Sequence, residues 1–111
     1  MEAKVVNFDT LEDKPVKPHV TRKTFQFAEG CTITQGTLEY GHKPGPHSHP
    51  AEQVSYVRTG TAVFHVGGKE YPVKAGDMIV IPPNVEHYIV VTSKDTPVVN
   101  MDIFTPKRSD R

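Results

Sequence analysis

The chain is poor in cysteine, has no excess of either charge and lacks long apolar runs, and each shortage excludes something. A single cysteine, Cys31, among 111 residues rules out an internal disulfide framework and suits a reducing compartment. With 13 Lys+Arg against 13 Asp+Glu, no basic surplus is available to seek phosphates, so nucleic acid is not an expected partner. No apolar stretch approaches membrane-spanning length, and no charged segment followed by a short apolar run opens the chain. The expected address is the cytoplasm, with no membrane association. Long helical periodicity is missing too.

What is present is punctuation. The 8 glycines and 10 prolines are scattered among short β-branched runs, the pattern of an all-β domain with many tight turns. The length suits one domain. Residues 1–18 read as an N-terminal arm, with a short strand around Val5–Phe8 and then the polar run Glu12–Pro18, lying on the domain or on a neighbouring subunit. Residues 19–111 read as the domain itself. Strands are predicted at 20–28, 31–40, 52–59, 61–67, 69–74, 77–81, 86–92 and 97–105. They are separated by Glu29-Gly30, Thr59-Gly60, Gly67-Gly68, Ala75-Gly76 and Pro82-Pro83-Asn84, and short strands at this spacing make a sandwich or barrel.

Three of the six histidines are suggestively placed. His47 and His49 are one residue apart, so on a strand both point to one face and can share a metal. Gln53 has the same parity. Extended chain from His47 to Gln53 would cover about 20 Å, too far for one coordination sphere, so the chain must break between His49 and Gln53, where Pro50 lies. Beyond the break, Gln53, Ser55 and Val57 fall on one face and Val54, Tyr56 and Arg58 on the other. Further on, Pro82-Pro83-Asn84 ends an apolar strand and His87 opens the next, a hairpin able to return a histidine to the middle of a barrel.

Together these segments resemble a known family. Gly41-x5-His47-x-His49-x3-Gln53-x6-Gly60 resembles the first cupin motif, which usually has Glu where this chain has Gln53. Gly76-x5-Pro82-x-Asn84-x2-His87 resembles the second, which usually has Gly at Asn84 and ends on Asn where this chain has Val91. The Asn84 change is mild, because Asn tolerates a left-handed turn nearly as well as Gly. The motifs and their 15-residue spacer cover residues 41–91. The resemblance implies a cupin double-stranded β-helix, or jelly-roll, barrel. It also implies one divalent transition metal (Zn, Ni, Fe or Mn) held by His47, His49, Gln53 and His87. Glu52 is the rival for the fourth position, although its parity turns it away. Three neutral imidazoles and an amide leave the ion's charge uncompensated, so an anionic substrate is expected.

His19, His42 and His65 lack partners at ligand spacing and read as surface or hydrogen-bonded residues. Cys31 reads as a small buried apolar residue, Phe25, Phe27, Phe64, Ile79 and Ile81 as core, and Lys107 and Arg111 as solvated. The tail differs in kind: Asn100, Asp102 and Phe104 share one strand face and Met101 and Ile103 the other, a pattern that suits a cavity wall. Asp102-x-Phe104-x-Pro106-x-Arg108, with His47-Ser48-His49-Pro50-x-Glu52-Gln53, resembles the small cupins of pectin and alginate breakdown, which linearise 4,5-unsaturated monouronates. That resemblance implies Asp102, Phe104 and Arg108 at the substrate, with Asp102 shuttling protons and Arg108 clamping the uronate carboxylate.

The expected function is therefore metal-dependent, non-redox ring opening of an anionic sugar acid. Two rivals stay open: an iron or manganese dioxygenase, and a non-catalytic metal- and metabolite-binding module. A homodimer is expected, since strand edges need cover.

Overall fold

A computed structural model describes residues 2–110, so Arg111 lies outside the described residues. Burial alternates residue by residue over 52–58 and 61–66, as strands with one face on the core require. The strands are β1 (Lys14–Lys17), β2 (Val20–Phe25), β3 (Thr32–Leu38), β4 (Glu52–Thr59), β5 (Thr61–Val66), β6 (Lys69–Lys74), β7 (Met78–Ile81), β8 (His87–Val91) and β9 (Val98–Thr105). They build a six-stranded sheet in the order β1-β2-β3-β9-β4-β7 and a three-stranded sheet in the order β6-β5-β8. Every pairing is antiparallel. The two inner faces meet in one core, with Leu38, Val57, Ile81 and Val98 from the first sheet and Ala62, Phe64, Val66, Val73 and Val91 from the second. This is the expected all-β jelly roll. Among the described residues, no helix is long and apolar enough to cross a membrane.

The departures from expectation are local. Val5–Phe8 forms no strand. Instead a single 3-10 turn spans Phe8–Thr10, with the Asn7 side chain accepting from the Asp9 N–H at 2.8 Å. That local bond competes with extended pairing. Within the polar run that follows, Lys14–Lys17 pairs with β2. Its four residues are all exposed, and an edge strand with charges and a proline discourages pairing with other chains. Of the aromatic residues expected in the core, Phe64 is buried, whereas Phe25 meets Phe8 at a tilt and Phe27 edge-on in a separate cluster and Phe27 is 43% exposed. Cys31 is half-buried.

Two turn residues show why the motif spacing matters. Asn84 sits at φ 63°, the left-handed conformation that its place in the second motif demands. Gly60 joins β4 to β5 at φ 79°, and a Cβ there would meet the Pro97 carbonyl oxygen at 2.8 Å. Gly68 has a similar φ of 81° but open space around it. Both Gly→Ala changes incur backbone strain of about 1–2 kcal/mol, and only Gly60→Ala adds a clash with backbone. Urea unfolding should therefore show Gly60→Ala to be the more destabilised, by at least about 1 kcal/mol. Equal losses would remove the clash from the account.

Candidate metal centre

Backbone pairing brings the two histidine segments together. The His47 N–H donates to the His87 carbonyl at 3.2 Å, the His87 N–H donates back at 2.9 Å, and the Asn84 N–H donates to the His49 carbonyl at 2.8 Å. The chain turns at Pro50 so that Gln53, the second residue of β4, faces the same interior. The three imidazoles then cluster with ring centroids 4.3 Å (His47–His87), 4.9 Å (His49–His87) and 5.8 Å (His47–His49) apart. One ring nitrogen from each lies within 4.8 Å of the others, so the three can hold a metal ion.

Hydrogen bonds decide which nitrogens are available. Nδ1 of His47 lies 2.7 Å from the Gly45 carbonyl oxygen, Nδ1 of His49 2.8 Å from that of Ala51, and Nδ1 of His87 2.9 Å from that of Val85. A carbonyl only accepts, so each Nδ1 carries the proton and each Nε2 presents a lone pair. The Gln53 amide is oriented the same way. Its Nε2 donates to Ser55 Oγ at 2.9 Å and to Asp102 Oδ1 at 3.1 Å, which leaves Oε1 facing His49 Nε2 at 3.0 Å. Two acceptors at that distance need a positive centre between them. His87 Nε2, buried and without a hydrogen-bond partner, needs the same thing. A metal ion satisfies all of these lone pairs at once, so the residues present fit the group.

Burial sets the protonation of His87. Desolvation lowers its pKa below the usual 6.5, the Val85 carbonyl opposes the change, and the neighbouring His47, His49 and Arg108 lower it further. The neutral form that a metal requires is thereby favoured. Glu52 is exposed while Gln53 is buried, so the amide is the residue on the interior face.

Behind Gln53 stands a carboxylate. Asp102 Oδ1 accepts from Ser55 Oγ at 2.6 Å and Asn100 Nδ2 at 2.7 Å as well as from Gln53. The oxygen is pinned by three donors from two adjacent strands. A cavity of about 190 Å³ opens beside these groups, and its wall includes His47, Gln53, His87, Asn100, Asp102 and Phe104. The structure thus brings six of the seven expected site residues together, since Phe104 also meets the His49 ring edge-on at 5.4 Å.

Arg108 sits apart from this cavity. Its guanidinium lies 4.8 Å from the Phe104 ring centre and forks onto Asp110 through Nε at 3.0 Å and Nη2 at 2.8 Å. It borders a separate depression that also touches His49. Sequence reasoning overlooked Arg22 as a wall residue of the histidine cavity, gave Asn100 no contact of its own, and read His42 only as surface or hydrogen-bonded, whereas it is buried on the same wall with Nε2 3.0 Å from the Ile89 carbonyl oxygen. Only the inward parity of Asn100 with Asp102 was visible beforehand.

The family model described as Cupin domain matches residues 34–104. The chain belongs to the cupin family. This cupin is 38% identical over 72 residues to an oxalate-binding protein of Thermotoga maritima, an alignment covering 64% of this chain and 60% of that protein. It is 30% identical over 63 residues to an acireductone dioxygenase of Bacillus pumilus, covering 52% of this chain and 35% of the relative. The chain therefore spans less than two thirds of the length of either curated relative. Among solved structures, an RmlC-like cupin from Shewanella frigidimarina superposes with a TM-score of 0.87 at 25% identity, covering 98% of this chain and 96% of that one. KdgF from Halomonas sp. superposes with a TM-score of 0.85 at 23% identity, covering 99% and 98%.

The donor set makes two predictions. Elemental analysis should find transition metal in the wild type and none in His87→Ala or His47→Ala, a partial loss in Gln53→Ala, and near-normal content in Glu52→Ala. Reversal of the last two results would overturn the placement of Gln53. For the metal-free protein, the lowered His87 pKa means that the folded state binds fewer protons than the unfolded chain just below pH 6.5. Stability should therefore fall as pH drops from about 6.5 toward the depressed value, and level off below it. His87→Gln should flatten that slope in urea titrations at successive pH values.

Proposed function

We propose that this cupin is a metal-dependent enzyme that opens the ring of an anionic sugar acid without redox change, with a 4,5-unsaturated uronate as substrate. The observation that carries the reading is Asp102: a carboxylate on the cavity wall, one residue behind the candidate ligand Gln53 and held by three donors. The Thermotoga relative, named for binding oxalate, supports a small anionic ligand. So does a ligand set with no negative charge of its own.

One divalent ion on His47, His49, Gln53 and His87 would supply Lewis acidity to the oxygen that becomes electron-rich. Imidazole-dominated ligation suits Zn, Ni, Fe or Mn. Asp102 takes the proton of the C1 hydroxyl as the C1–O5 bond breaks, so C1 becomes an aldehyde. The electron pair leaves on O5, the C5–O5 bond becomes a carbonyl, and C4 receives a proton from Asp102. Atoms balance with no oxidant. Phe104 supplies an apolar wall. Arg108 serves from behind it, steadying the ring and adding positive potential near His87, because Asp110 already takes its Nε and Nη2 and leaves only Nη1 unpaired.

We also assign a homodimer in the cytoplasm. Tyr56, Met78 and Val80 are exposed on one outward patch where β4 pairs with edge strand β7, an apolar surface suited to a second copy.

The substrate's ultraviolet absorbance should decay faster with the holoenzyme than alone, with solvent deuterium appearing at C4 and no oxygen consumed. Asp102→Asn preserves an acceptor for the three donors, so it should cut kcat by about 100-fold or more with metal content unchanged. A loaded wild type that does not accelerate the reaction would eliminate this substrate. Oxygen uptake would point to the dioxygenase instead.

A further inference from the structure

The histidine cavity has a polar lining beyond the residues of the candidate metal centre. Two cations line it. Lys17 is exposed and donates its Nζ to the Lys43 carbonyl at 2.6 Å. Arg22 is half-buried on β2 and, among the described residues, its side chain has no hydrogen bond or ion pair. A partly desolvated guanidinium with five unanswered donors favours an anion.

Strand register shows what faces it. Arg22 pairs with Gly36, and Gly36 pairs with Asn100, so the three form one rung across β2, β3 and β9. Gly36 contributes no side chain to the middle of the rung, and even a Cβ there would come within 3.3 Å of Leu38. At the far side Asn100 is 4% exposed. Its Nδ2 is spent on Asp102, and its Oδ1 is buried without a hydrogen-bond partner. Arg22, a gap at Gly36 and an orphaned acceptor thus share one rung, the Cα atoms of the outer two about 10 Å apart at the spacing of neighbouring strands, and Arg22 also borders a second depression that contains Glu12 and Asp110. The adjacent rung carries Thr34, Asp102 and Ser55.

We propose that Arg22 is the carboxylate-binding and specificity-determining residue of this site, and that Asn100 Oδ1 accepts a hydroxyl of the same molecule. The ligand class is a hydroxylated carboxylate whose ring lies over Gly36, with its reactive end toward Asp102 and the histidines. In this placement the inference rests on the ring-opening reading. The carboxylate clamp moves from Arg108, whose Nε and Nη2 Asp110 occupies and which keeps only Nη1 unpaired, to an arginine whose whole guanidinium is without a partner among the described residues.

The test compares D-glucuronate with D-glucose as ligands of the metal-loaded protein by calorimetric titration, alongside steady-state kinetics on the unsaturated uronate. Wild type should prefer glucuronate by at least about tenfold, Arg22→Gln should reduce the preference below about twofold, and Arg22→Lys should retain part of it. In turnover, Arg22→Gln should raise KM at least about tenfold while kcat changes by less than about threefold, with metal content and circular dichroism as in wild type. The proposal is overturned if wild type shows no preference, if Arg22→Gln keeps it, or if Arg108→Gln abolishes it instead. The first outcome needs no variant to fold. Absent uronate turnover with an Arg22-dependent preference would sink the ring-opening reading and leave Arg22 as the anion site. Normal turnover with an unchanged KM in Arg22→Gln would do the reverse.

Discussion

Three backbone carbonyls, those of Gly45, Ala51 and Val85, underlie the chemistry of this molecule. Each lies two residues from a histidine and accepts a hydrogen bond from its Nδ1–H. The result is three Nε2 lone pairs converging on one point, with a fourth from Gln53 Oε1. A free imidazole chooses its tautomer almost indifferently, whereas these rings cannot. The carbonyls in turn are held by the exchange of hydrogen bonds between His47 and His87, which fastens the first motif to β8. The metal centre is thus an outcome of backbone pairing before it is one of side-chain chemistry.

Substituting an amide for the family's usual carboxylate redistributes charge over a short distance. Gln53 brings no negative charge to the ligand set, yet its own Nε2 donates to Asp102. The carboxylate is moved back one layer and gathered with Ser55 and Asn100. A carboxylate bound to the ion would spend its lone pairs there. One held beside the cavity stays close enough to exchange protons with a ligand, and the uncompensated ion beyond it favours an anion. Arg22, two strands away from Asn100 on the same sheet, and Arg108 behind Phe104 add to the same positive potential.

The fold serves this arrangement by stacking polar residues on an inward face that is otherwise apolar. At one end, Val57, Ile81 and Val98 close against Phe64 and Val91 to make the core. At the other, Gln53, Ser55, Asn100 and Thr34 are just as buried but polar. Buried polar groups are tolerated because they satisfy one another, and of the four exceptions among the described residues, His42 Nδ1, His87 Nε2, Asn100 Oδ1 and Arg108 Nη1, His87 Nε2 and Asn100 Oδ1 lie where a ligand is expected.

Strand periodicity and turn chemistry are local, so the sequence by itself determined them. The parity of His47, His49 and Gln53, the break at Pro50, the left-handed Asn84 and the inward run Asn100-Asp102-Phe104 all follow from side chains alternating about a two-residue repeat. The outward direction of Glu52 follows for the same reason. Tertiary structure alone decided which strands became neighbours. Arg22 lies far from both motifs in the chain and reaches the cavity only because β2 pairs with β3 in a register that sets it opposite Gly36. Arg108 is turned to Asp110 by contacts beyond the strand, where no period operates. Lys14–Lys17 becomes a strand because β2 offers an open edge, not because its own residues favour one. A period of two says which way a side chain points, but what it meets there depends on pairing between distant segments.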